Sequence, residues 1–417
     1  MTGSLPALAE AKLPLELLRT ALAAVDGASV VRRALTAQSP PGPCHVIALG
    51  KAAAAMALGA RSVLGERLER ALVVSRPGHL DEALCGDSRF RCLEADHPVP
   101  GRRSLAAGKA LMEFIDATPG DQCLLFLISG GTSRLVEVPV AGVDADRLAR
   151  LNDWLLCAGL DIGAMNRIRS ALSAIKGGRL AQRLAGRPVQ GLLISDVPGD
   201  DPAVIGSGLL SAGAPPAPWP SLPPELDWIA SLTQSPLTPA QVPCFPLKVV
   251  ASLDQACAAV EAVALERGLP VSRHGEFLQG EAGSRGEALA RFLLQAGPGV
   301  HVWGGETHVH LPANPGRGGR NQHLALAAAR ALAGHEGVRL LAVGTAGSDG
   351  NSPDAGALVD GRTVARGEAA GLDAGECLAR ADSGRFLAEA GALVHTGPTG
   401  TNVMDLVIGV VGDSAGE

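Results

Sequence analysis

The sequence predicts an α/β protein with two α/β domains and largely parallel sheets. Short apolar runs recur along the chain, and each is followed by a loop of small residues and then by an alanine-rich helical pattern. Runs of four to six apolar residues that alternate with helices are typical of buried parallel strands. A chain of 417 residues is too long for one compact core, which indicates at least two domains.

Each predicted strand leads into a loop rich in glycine, serine or aspartate. In chain order, the predicted strands are 45–49, 124–128, 192–194, 249–252, 300–303 and 340–343. Helical patterns follow them, for example at 254–267 and from Asn321 onward. Because ligands of parallel sheets bind beyond the carboxyl ends of the strands, we expect a site built from several of these loops.

The clearest domain boundary lies at about 211–248. This segment contains ten of the 29 prolines, which excludes a long helix or a central strand. We therefore expect it to be an extended connection between a domain at 1–240 and a carboxy-terminal region at 248–417.

The composition excludes several classes of protein. A net charge of −6 lacks the basic footprint of a general nucleic-acid binder. Apolar stretches such as 123–128 are too short to span a bilayer, and residues 1–14 lack a signal-peptide pattern. None of the eight cysteines forms a Cys-x-x-Cys pair, which disfavours a zinc site and indicates a reducing compartment. We expect a cytoplasmic protein that binds neither nucleic acid nor membranes.

Lys51 lies between a predicted strand and the start of a helix. Backbone N–H groups at a helix N-terminus attract phosphate or carboxylate, and a lysine there adds a positive charge. The loop is not a Walker A motif, because Ala52 follows the lysine and the earlier glycine of that motif is absent. The alternative is an exposed lysine in the first turn of a helix.

The stretch Ser129-Gly130-Gly131-Thr132-Ser133 forms a second loop between a strand and a helix. Its backbone amides could cradle a phosphate group. The alternative is an ordinary glycine turn. No G-x-G-x-x-G sequence follows a strand, which weakens a dinucleotide-binding interpretation.

Carboxylates follow two other predicted strands. Asp196 lies directly after one strand, with Asp200 and Asp201 in the same loop, and Asp349 lies in a glycine loop after the strand at 340–343. Hard cations such as Mg²⁺ prefer carboxylate oxygens. The alternative is that these side chains cap helices and turns.

Arginines flank a glycine loop that enters the helix near Asn321. Arg317 and Arg320 are the two arginines, and Glu306 follows the preceding predicted strand. An arginine beside a helix N-terminus suits bidentate recognition of phosphate or carboxylate.

Taken together, these motifs resemble the glycerate 2-kinase family. The matching segments are LGKAAAAMA, LISGGTSRLVEVP, MNRIRSALSAIKGGRLA, LLISDVPGDDPAVIGSG, VWGGETHVHL, GRGGRNQHLALA, GTAGSDGNSPDAGALVDG and TGPTGTNVMDLVIG. The resemblance implies a Rossmann-like amino-terminal glycerate-kinase domain, a MOFRL domain at about 297–411 and a cleft between them. It also implies transfer of a phosphoryl group from ATP to the 2-hydroxyl of D-glycerate with Mg²⁺. A homodimer is compatible with the sequence.

The family pattern assigns residues of this chain to a site around the expected cleft. The catalytic residues it implies are Lys51, Arg320 and Asp196. The substrate-binding residues it implies are Glu306, Asn321, Asp349 and Asn402. On the nucleotide or phosphate side it places Ser129, Gly130, Gly131, Ser133, Lys176 and Gly177. The metal ligands it implies are Asp196 and Asp349.

The chain departs from the family pattern at four positions. They are Thr132 and Arg134 in the SGGTSR loop, His323 in place of a carboxylate, and Ala346 where aspartate is common. These changes keep a non-catalytic sugar-acid-binding protein as an alternative. A second alternative is an NAD(P)H-dependent hydroxypyruvate reductase, a label that members of the family have carried.

Lys51 and Arg320 carry the sharpest expectation from sequence. If both side chains stabilise the negative charge of the transition state, replacing either with alanine should lower kcat/KM and hardly change the melting temperature.

Overall fold

The computed structural model describes residues 7–97, 99–157, 162–212 and 222–412. The chain divides into two compact units. The continuous unit is Gly27–Ala251, and the discontinuous unit combines Met1–Asp26 with Ser252–Glu417. Within the described ranges, no helix has both the length and the apolar character needed to cross a membrane.

Helix α1 (Ala7–Ala24) opens the chain and belongs to the discontinuous unit. The continuous unit then forms, in order, α2 (Gly27–Ala37), β1 (Cys44–Leu49), α3 (Ala53–Leu64), β2 (Leu68–Ser75), α4 (Glu82–Cys85), β3 (Phe90–Glu94), α5 (Arg102–Asp116), β4 (Cys123–Ile128), α6 (Thr132–Leu135), α7 (Ala145–Cys157), α8 (Ile162–Ala171), α9 (Arg179–Arg183), β5 (Val189–Ile194), α10 (Trp228–Leu232) and β6 (Leu247–Ala251). Short 3₁₀ helices lie at Gly65–Arg67, Pro198–Asp200, Ile205–Ser207, Pro224–Leu226 and Pro239–Gln241.

The continuous unit is built on one parallel sheet. Its strands lie in the order β3-β2-β1-β4-β5-β6, and every pairing between neighbours is parallel. Strands β1 and β4 are buried at every position, as expected for strands covered by helices on both faces. This order is that of a Rossmann fold, in which ligands bind where the strand order reverses, here between β1 and β4.

The discontinuous unit continues after Ala251 with a second set of elements. They are α11 (Leu253–Glu266), β7 (Val271–Arg273), α12 (Ala282–Gln295), β8 (Gly299–Gly305), α13 (Arg320–Leu332), β9 (Val338–Gly344), β10 (Gly356–Asp360), α14 (Thr363–Ala369), α15 (Ala374–Ala379), α16 (Ser383–Glu389), β11 (Leu393–Val394) and β12 (Asp405–Val411). Helix α1 contacts α11 and β12, so this helix packs into the discontinuous unit.

The second sheet differs from the parallel arrangement expected for both domains. Its order is β11-β10-β9-β12-β8-β7, and only β7 and β8 pair in parallel within the described sheet. The predicted strand–helix–strand unit β8-α13-β9 does form, with β8 and β9 in the same direction. The last strand, β12, lies between them and pairs antiparallel with both. The prediction of two α/β domains is therefore confirmed, and that of a largely parallel second sheet is wrong.

The core of the discontinuous unit is centred on α13. Most residues of this helix are buried, and α12 packs directly against it. A Cβ atom at Gly286 in α12 would lie 2.1 Å from the carbonyl oxygen of Leu324 in α13. A glycine at this position therefore allows close contact between the two helix backbones.

Residues 213–221 of the proline-rich segment lie outside the described part of the chain, and the described remainder of the segment belongs to the continuous unit. Strand β6 begins at Leu247 and pairs with β5, so the chain returns to the first sheet after the prolines and leaves it at Ala251. Trp228 in this segment stacks with Arg147, whose guanidinium carbon lies 5.2 Å from the ring centre. The observed division thus differs from the expected one in two respects: the described part of the segment belongs to the continuous unit, and α1 belongs to the discontinuous unit.

Candidate active site

Gly50 brings the loop after β1 against the loop after β4. It has a φ of 117°, and a Cβ atom there would lie 2.2 Å from the Oγ atom of Ser129. Only glycine accommodates both this backbone conformation and this contact. The two loops at the reversal of strand order are therefore held together by their backbones.

The first N–H groups at the start of α3 are already bonded within the protein. The Lys51 N–H donates to the Gly130 carbonyl at 2.9 Å, and the Ala52 N–H donates to Ser129 Oγ at 3.1 Å. The helix start therefore does not offer these two donors to a phosphate group. The Lys51 side chain lies across Gly131, with Cγ 3.3 Å from where a Cβ of that glycine would be.

The loop after β4 combines a structural serine with two backbone donors. Ser129 is completely buried, and its hydroxyl also donates to the Leu49 carbonyl at 3.3 Å, so it joins two loops. Among the described residues, the N–H groups of Gly130 and Gly131 have no hydrogen-bond acceptor. Ser133 follows in α6 and is partly exposed. That this loop receives an anion stays a prediction, for which these two backbone donors are available.

Charged and imidazole side chains follow five neighbouring strands of this sheet. We call them the sheet-edge cluster: Lys51 after β1, Arg76 and His79 after β2, His97 after β3, Arg134 in the helix after β4, and Asp196 after β5. Their charges interact, because Lys51 and Arg134 both act on His97 and on Asp196. The sequence predicted Lys51 and Asp196 at this edge, but the two histidines and Arg76 were not foreseen.

The cluster keeps its histidines neutral and its carboxyl group hard to ionise. Burial and the charge of Arg76 lower the pKa of His79 to about 4. Burial, then the charges of Lys51, Arg134 and Arg76, lower the pKa of His97 to about 3. Burial raises the pKa of Asp196, while the charges of Lys51 and Arg134 oppose that rise.

We predict that His97 makes the protein less stable in mild acid. The unfolded chain protonates this histidine as pH falls below about 6.5, whereas the folded protein does not, so the free energy of unfolding falls. Between about pH 6.5 and 5 the loss should be about 1 to 2 kcal/mol. Melting temperatures measured over this range should therefore fall less steeply for His97→Gln than for the wild type. Equal slopes would contradict the prediction.

Lys176 is buried, which differs from the expectation that it lines the nucleotide side. Its side chain has no exposed surface, and its ammonium group forms an ion pair with Glu137. Glu137 also accepts a hydrogen bond from Ser173 Oγ at 2.6 Å. The neighbouring Gly177 donates its N–H to the Ser207 carbonyl at 2.9 Å and has a φ of 62°. In this structure both residues are therefore buried and bonded within the fold, and their role on the nucleotide side stays a prediction.

Arg320 lies between two carboxylates at the start of α13. Its Nε and Nη2 atoms donate to the two carboxylate oxygens of Asp405, and Nη1 lies 2.9 Å from Glu306 Oε1. Asp405 is only 4% exposed, whereas Glu306 is exposed. Burial lowers the pKa of Arg320, but the charges of Asp405 and Glu306 prevail and raise it. Sequence reasoning missed Asp405, although a carboxylate that opens an apolar strand needs a buried partner.

Asp349 caps helix α13. One of its carboxylate oxygens accepts the Asn321 N–H at 3.2 Å and the Asn321 side-chain amide at 3.3 Å, and the other accepts the Gln322 N–H at 2.8 Å. Burial raises the pKa of Asp349 to about 6, although these backbone bonds and the charge of Arg320 oppose the rise. A carboxylate that is buried and bonded in this way serves the helix, so we do not expect Asp349 to bind a metal ion or substrate.

The remaining predicted residues of the discontinuous unit are mostly buried. Asn402 is 7% exposed and precedes Val403, whose N–H donates to Thr345 Oγ1 at 2.8 Å. His323, one of the departures from the family pattern, places Nε2 3.7 Å from a carboxylate oxygen of Glu281. Glu281, at the start of α12, therefore places a carboxylate beside the position at which the family pattern itself has a carboxylate.

Arg320 should be important for stability, contrary to the expectation from sequence. Arg320→Ala leaves the buried Asp405 without its bidentate partner, which should lower the free energy of unfolding by about 2 kcal/mol. Denaturant titration can measure this change, and Asp405→Asn in the same background should recover most of it. Arg330→Ala, at an exposed position in the last turn of the same helix, is the matched control. Equal stability of Arg320→Ala and Arg330→Ala would contradict the prediction.

Comparisons with known proteins agree with both units. A family model described as a domain of unknown function (DUF4147) matches residues 14–215, and the MOFRL family matches residues 299–405. The D-glycerate 2-kinase of Thermotoga maritima is 36% identical over 387 residues, which cover 88% of this chain and 90% of that protein. A protein of Agrobacterium vitis with the provisional name hydroxypyruvate reductase is 36% identical over 388 residues, covering 88% and 98%.

A solved structure shares the fold over nearly its full length. The crystal structure of glycerate kinase from Thermotoga maritima has a TM-score of 0.82 and 33% identity, and the match covers 97% of this chain and 100% of that one. Sequence and structure thus agree across both units, and the chain belongs to the glycerate 2-kinase family with its DUF4147 and MOFRL domains.

Proposed function

We propose that this protein is a kinase that transfers the γ-phosphoryl group of ATP to the 2-hydroxyl of D-glycerate. The products are 2-phosphoglycerate and ADP. The observation that carries the proposal is the similarity, over 88% of the chain, to a protein named D-glycerate 2-kinase. In the reaction, the hydroxyl oxygen forms a bond to the γ-phosphorus as the bond from that phosphorus to the bridging oxygen of ADP breaks.

The sheet-edge cluster supplies positive charge of the kind that phosphoryl transfer needs. Catalysis of this reaction depends on positioning and on neutralising charge, more than on covalent chemistry by the protein. Lys51 lies over Gly131, in a loop that retains backbone donors at Gly130 and Gly131. We assign Lys51 to the transferring phosphoryl group, because a preorganised cation there stabilises the transition state most.

Arg320 is the second cation assigned to the reaction. Its two carboxylate partners, Asp405 and Glu306, hold the guanidinium in one position. A guanidinium that is fixed before the substrate arrives loses little conformational entropy when it binds an anion. We therefore assign Arg320 to the carboxylate of the substrate.

The residues fit Mg²⁺ only as an ion that arrives with the nucleotide. No cluster of three or more metal-ligating side chains occurs in the described part of the chain. Mg²⁺ in kinases is commonly held by one or two carboxylates together with substrate phosphates, so such a cluster is not required. Asp196 is partly exposed and belongs to the sheet-edge cluster, so it would supply the protein ligand. When bound, the ion would neutralise charge on the phosphates.

Hydroxypyruvate reduction is the second candidate, because a relative from Agrobacterium vitis carries that name provisionally. The loop after β1 argues against a nicotinamide dinucleotide. Alanines Ala52 and Ala55 stand where the Rossmann fingerprint has its second and third glycines. The Ala52 N–H is also bonded to Ser129 and so is not offered to a pyrophosphate.

The purified protein with D-glycerate, ATP and Mg²⁺ tests the proposal directly. An enolase-coupled assay should detect 2-phosphoglycerate, since enolase does not accept the 3-phosphate isomer. Parallel reactions with hydroxypyruvate and NADH or NADPH should show no change in absorbance. Calorimetry with glycerate and with Mg²⁺–ATP separates a kinase from a binding protein. Tight glycerate binding without binding of the nucleotide would refute the kinase.

A further inference from the structure

Several side chains of the sheet-edge cluster have no role in the site as assigned so far. Arg76, His79 and His97 come from the loops that follow β2 and β3, and Arg134 comes from the short helix α6 after β4. Because β3, β2, β1, β4 and β5 are neighbours in one parallel sheet, these loops emerge side by side at its carboxyl edge. They therefore surround the reversal of strand order, where ligands bind in this fold.

The backbone at the start of α3 cannot play the part that it plays in dinucleotide-binding folds. The N–H groups of Lys51 and Ala52 donate to Gly130 and Ser129 instead of to a ligand. Gly130 and Gly131 in the neighbouring loop keep two backbone donors, so an anion at this edge needs positively charged side chains in addition to them. The cluster supplies those side chains as one lysine and two arginines.

His79 fixes the orientation of Arg76. The Nε atom of Arg76 donates to His79 Nε2 at 2.6 Å, and the same imidazole bonds to the backbone of Lys51. An imidazole nitrogen that accepts from a guanidinium must be unprotonated, so the ring adds no charge. His79 thus connects the loop after β2 to the loop after β1 and acts as a positioning residue.

The charge of the cluster matches a polyphosphate better than a single carboxylate. Lys51, Arg76 and Arg134 carry three positive charges, and Asp196 carries one negative charge when it is ionised. With both histidines neutral, these groups have a net charge of +2. A hydroxy acid brings one negative charge, whereas a polyphosphate chain brings several.

We propose that Lys51, Arg76 and Arg134 form a side-chain site for the polyphosphate of the nucleotide, with His79 holding Arg76 in place. The identity of the ligand rests on the proposed kinase function. Arg134 is one of the four departures from the family pattern, so its part in this site is a property of this chain. Arginine suits the task because its planar group can donate two hydrogen bonds to one phosphate.

Titration with inorganic tripolyphosphate tests the site without any turnover. Calorimetry at low ionic strength should show saturable binding to the wild type. Arg76→Gln and Arg134→Gln should each weaken it by about 10- to 100-fold, the effect of losing one charge-assisted hydrogen bond. Arg91→Gln, at a half-exposed ion pair with Glu113 in the same unit, is the matched control and should bind like the wild type. Arg76→Lys and Arg134→Lys provide variants that keep the charge if either glutamine variant fails to fold.

Steady-state kinetics identify which anion the site binds. In both glutamine variants the KM for ATP should rise, and the KM for D-glycerate should stay near the wild-type value. A rise in the KM for glycerate alone would assign these arginines to the substrate carboxylate and overturn the proposal. Wild-type protein that does not bind tripolyphosphate, or variants that bind it normally, would overturn it as well.

The two experiments separate failure of the site from failure of the kinase. If the wild type phosphorylates glycerate while both variants bind tripolyphosphate normally, only the proposed site is wrong. If the variants lose tripolyphosphate binding but no kinase activity is found in the wild type, the site stands as a polyphosphate site and the proposed function is wrong.

Discussion

Replacing Lys51 with methionine is expected to lower kcat/KM for glycerate phosphorylation by about 10²–10³, the cost of losing one preorganised donor to the transition state. Methionine keeps most of the aliphatic length of the side chain over Gly131 and removes only the charge. Most of the loss should appear in kcat, because the ammonium group stabilises negative charge that develops only as the phosphoryl group is transferred.

The stability of this variant distinguishes catalysis from folding. Lys51 is partly exposed. The variant should therefore change the free energy of unfolding by no more than about 0.5 kcal/mol, as surface substitutions usually do, and its melting temperature should hardly move. Lys248→Met, at an exposed position of β6 in the same unit, is the control and should keep full activity. Near-normal kcat/KM in Lys51→Met would remove this residue from the site.

Replacing Lys176 with methionine should cause the largest loss of stability. The variant leaves Glu137 buried without its counter-charge, which should lower the free energy of unfolding by about 3–5 kcal/mol. The double variant Lys176→Met with Glu137→Gln removes both charges and should recover much of that loss. Thermal or urea unfolding followed by circular dichroism measures both effects.

The same variant tests the nucleotide role that the family pattern implies for Lys176. Lys109→Met, which removes an exposed partner of Glu113 in this unit, should change stability by no more than about 0.5 kcal/mol. If Lys176→Met were as stable as Lys109→Met but bound ATP more weakly, the lysine would be a ligand contact after all.

Local patterns in the sequence were sufficient for four of the six strands of the first sheet, β1, β4, β5 and β6, because each is an apolar run followed by a loop of small residues. Strands β2 and β3 were not predicted, because charged residues interrupt their apolar pattern. The second sheet was not predictable in the same way. Strand β12 is as apolar as the others, and nothing near it in the chain shows that it lies between β8 and β9.

The candidate site shows the same limit. Lys51 and Asp196 could be found because each directly follows a strand, and chain position alone places them at the sheet edge. The ion pair of Lys176 with Glu137 could not be predicted, because the two residues are 39 positions apart in sequence and only the folded chain brings them together. Arg320 and Asp405 are separated by 85 residues, so the restraint on that arginine was equally hidden.

Helix α1 has a consequence for how the chain folds during synthesis. It packs against α11 and β12, yet the whole of Gly27–Ala251 is made between α1 and those partners. At ribosomal rates of about 5–20 residues per second, the helix waits roughly 10 to 45 s before its binding surface begins to emerge. The continuous unit can fold in that interval, whereas α1 has an apolar face exposed to chaperones and to other nascent chains. Synthesis thus completes the continuous unit first and the discontinuous unit last.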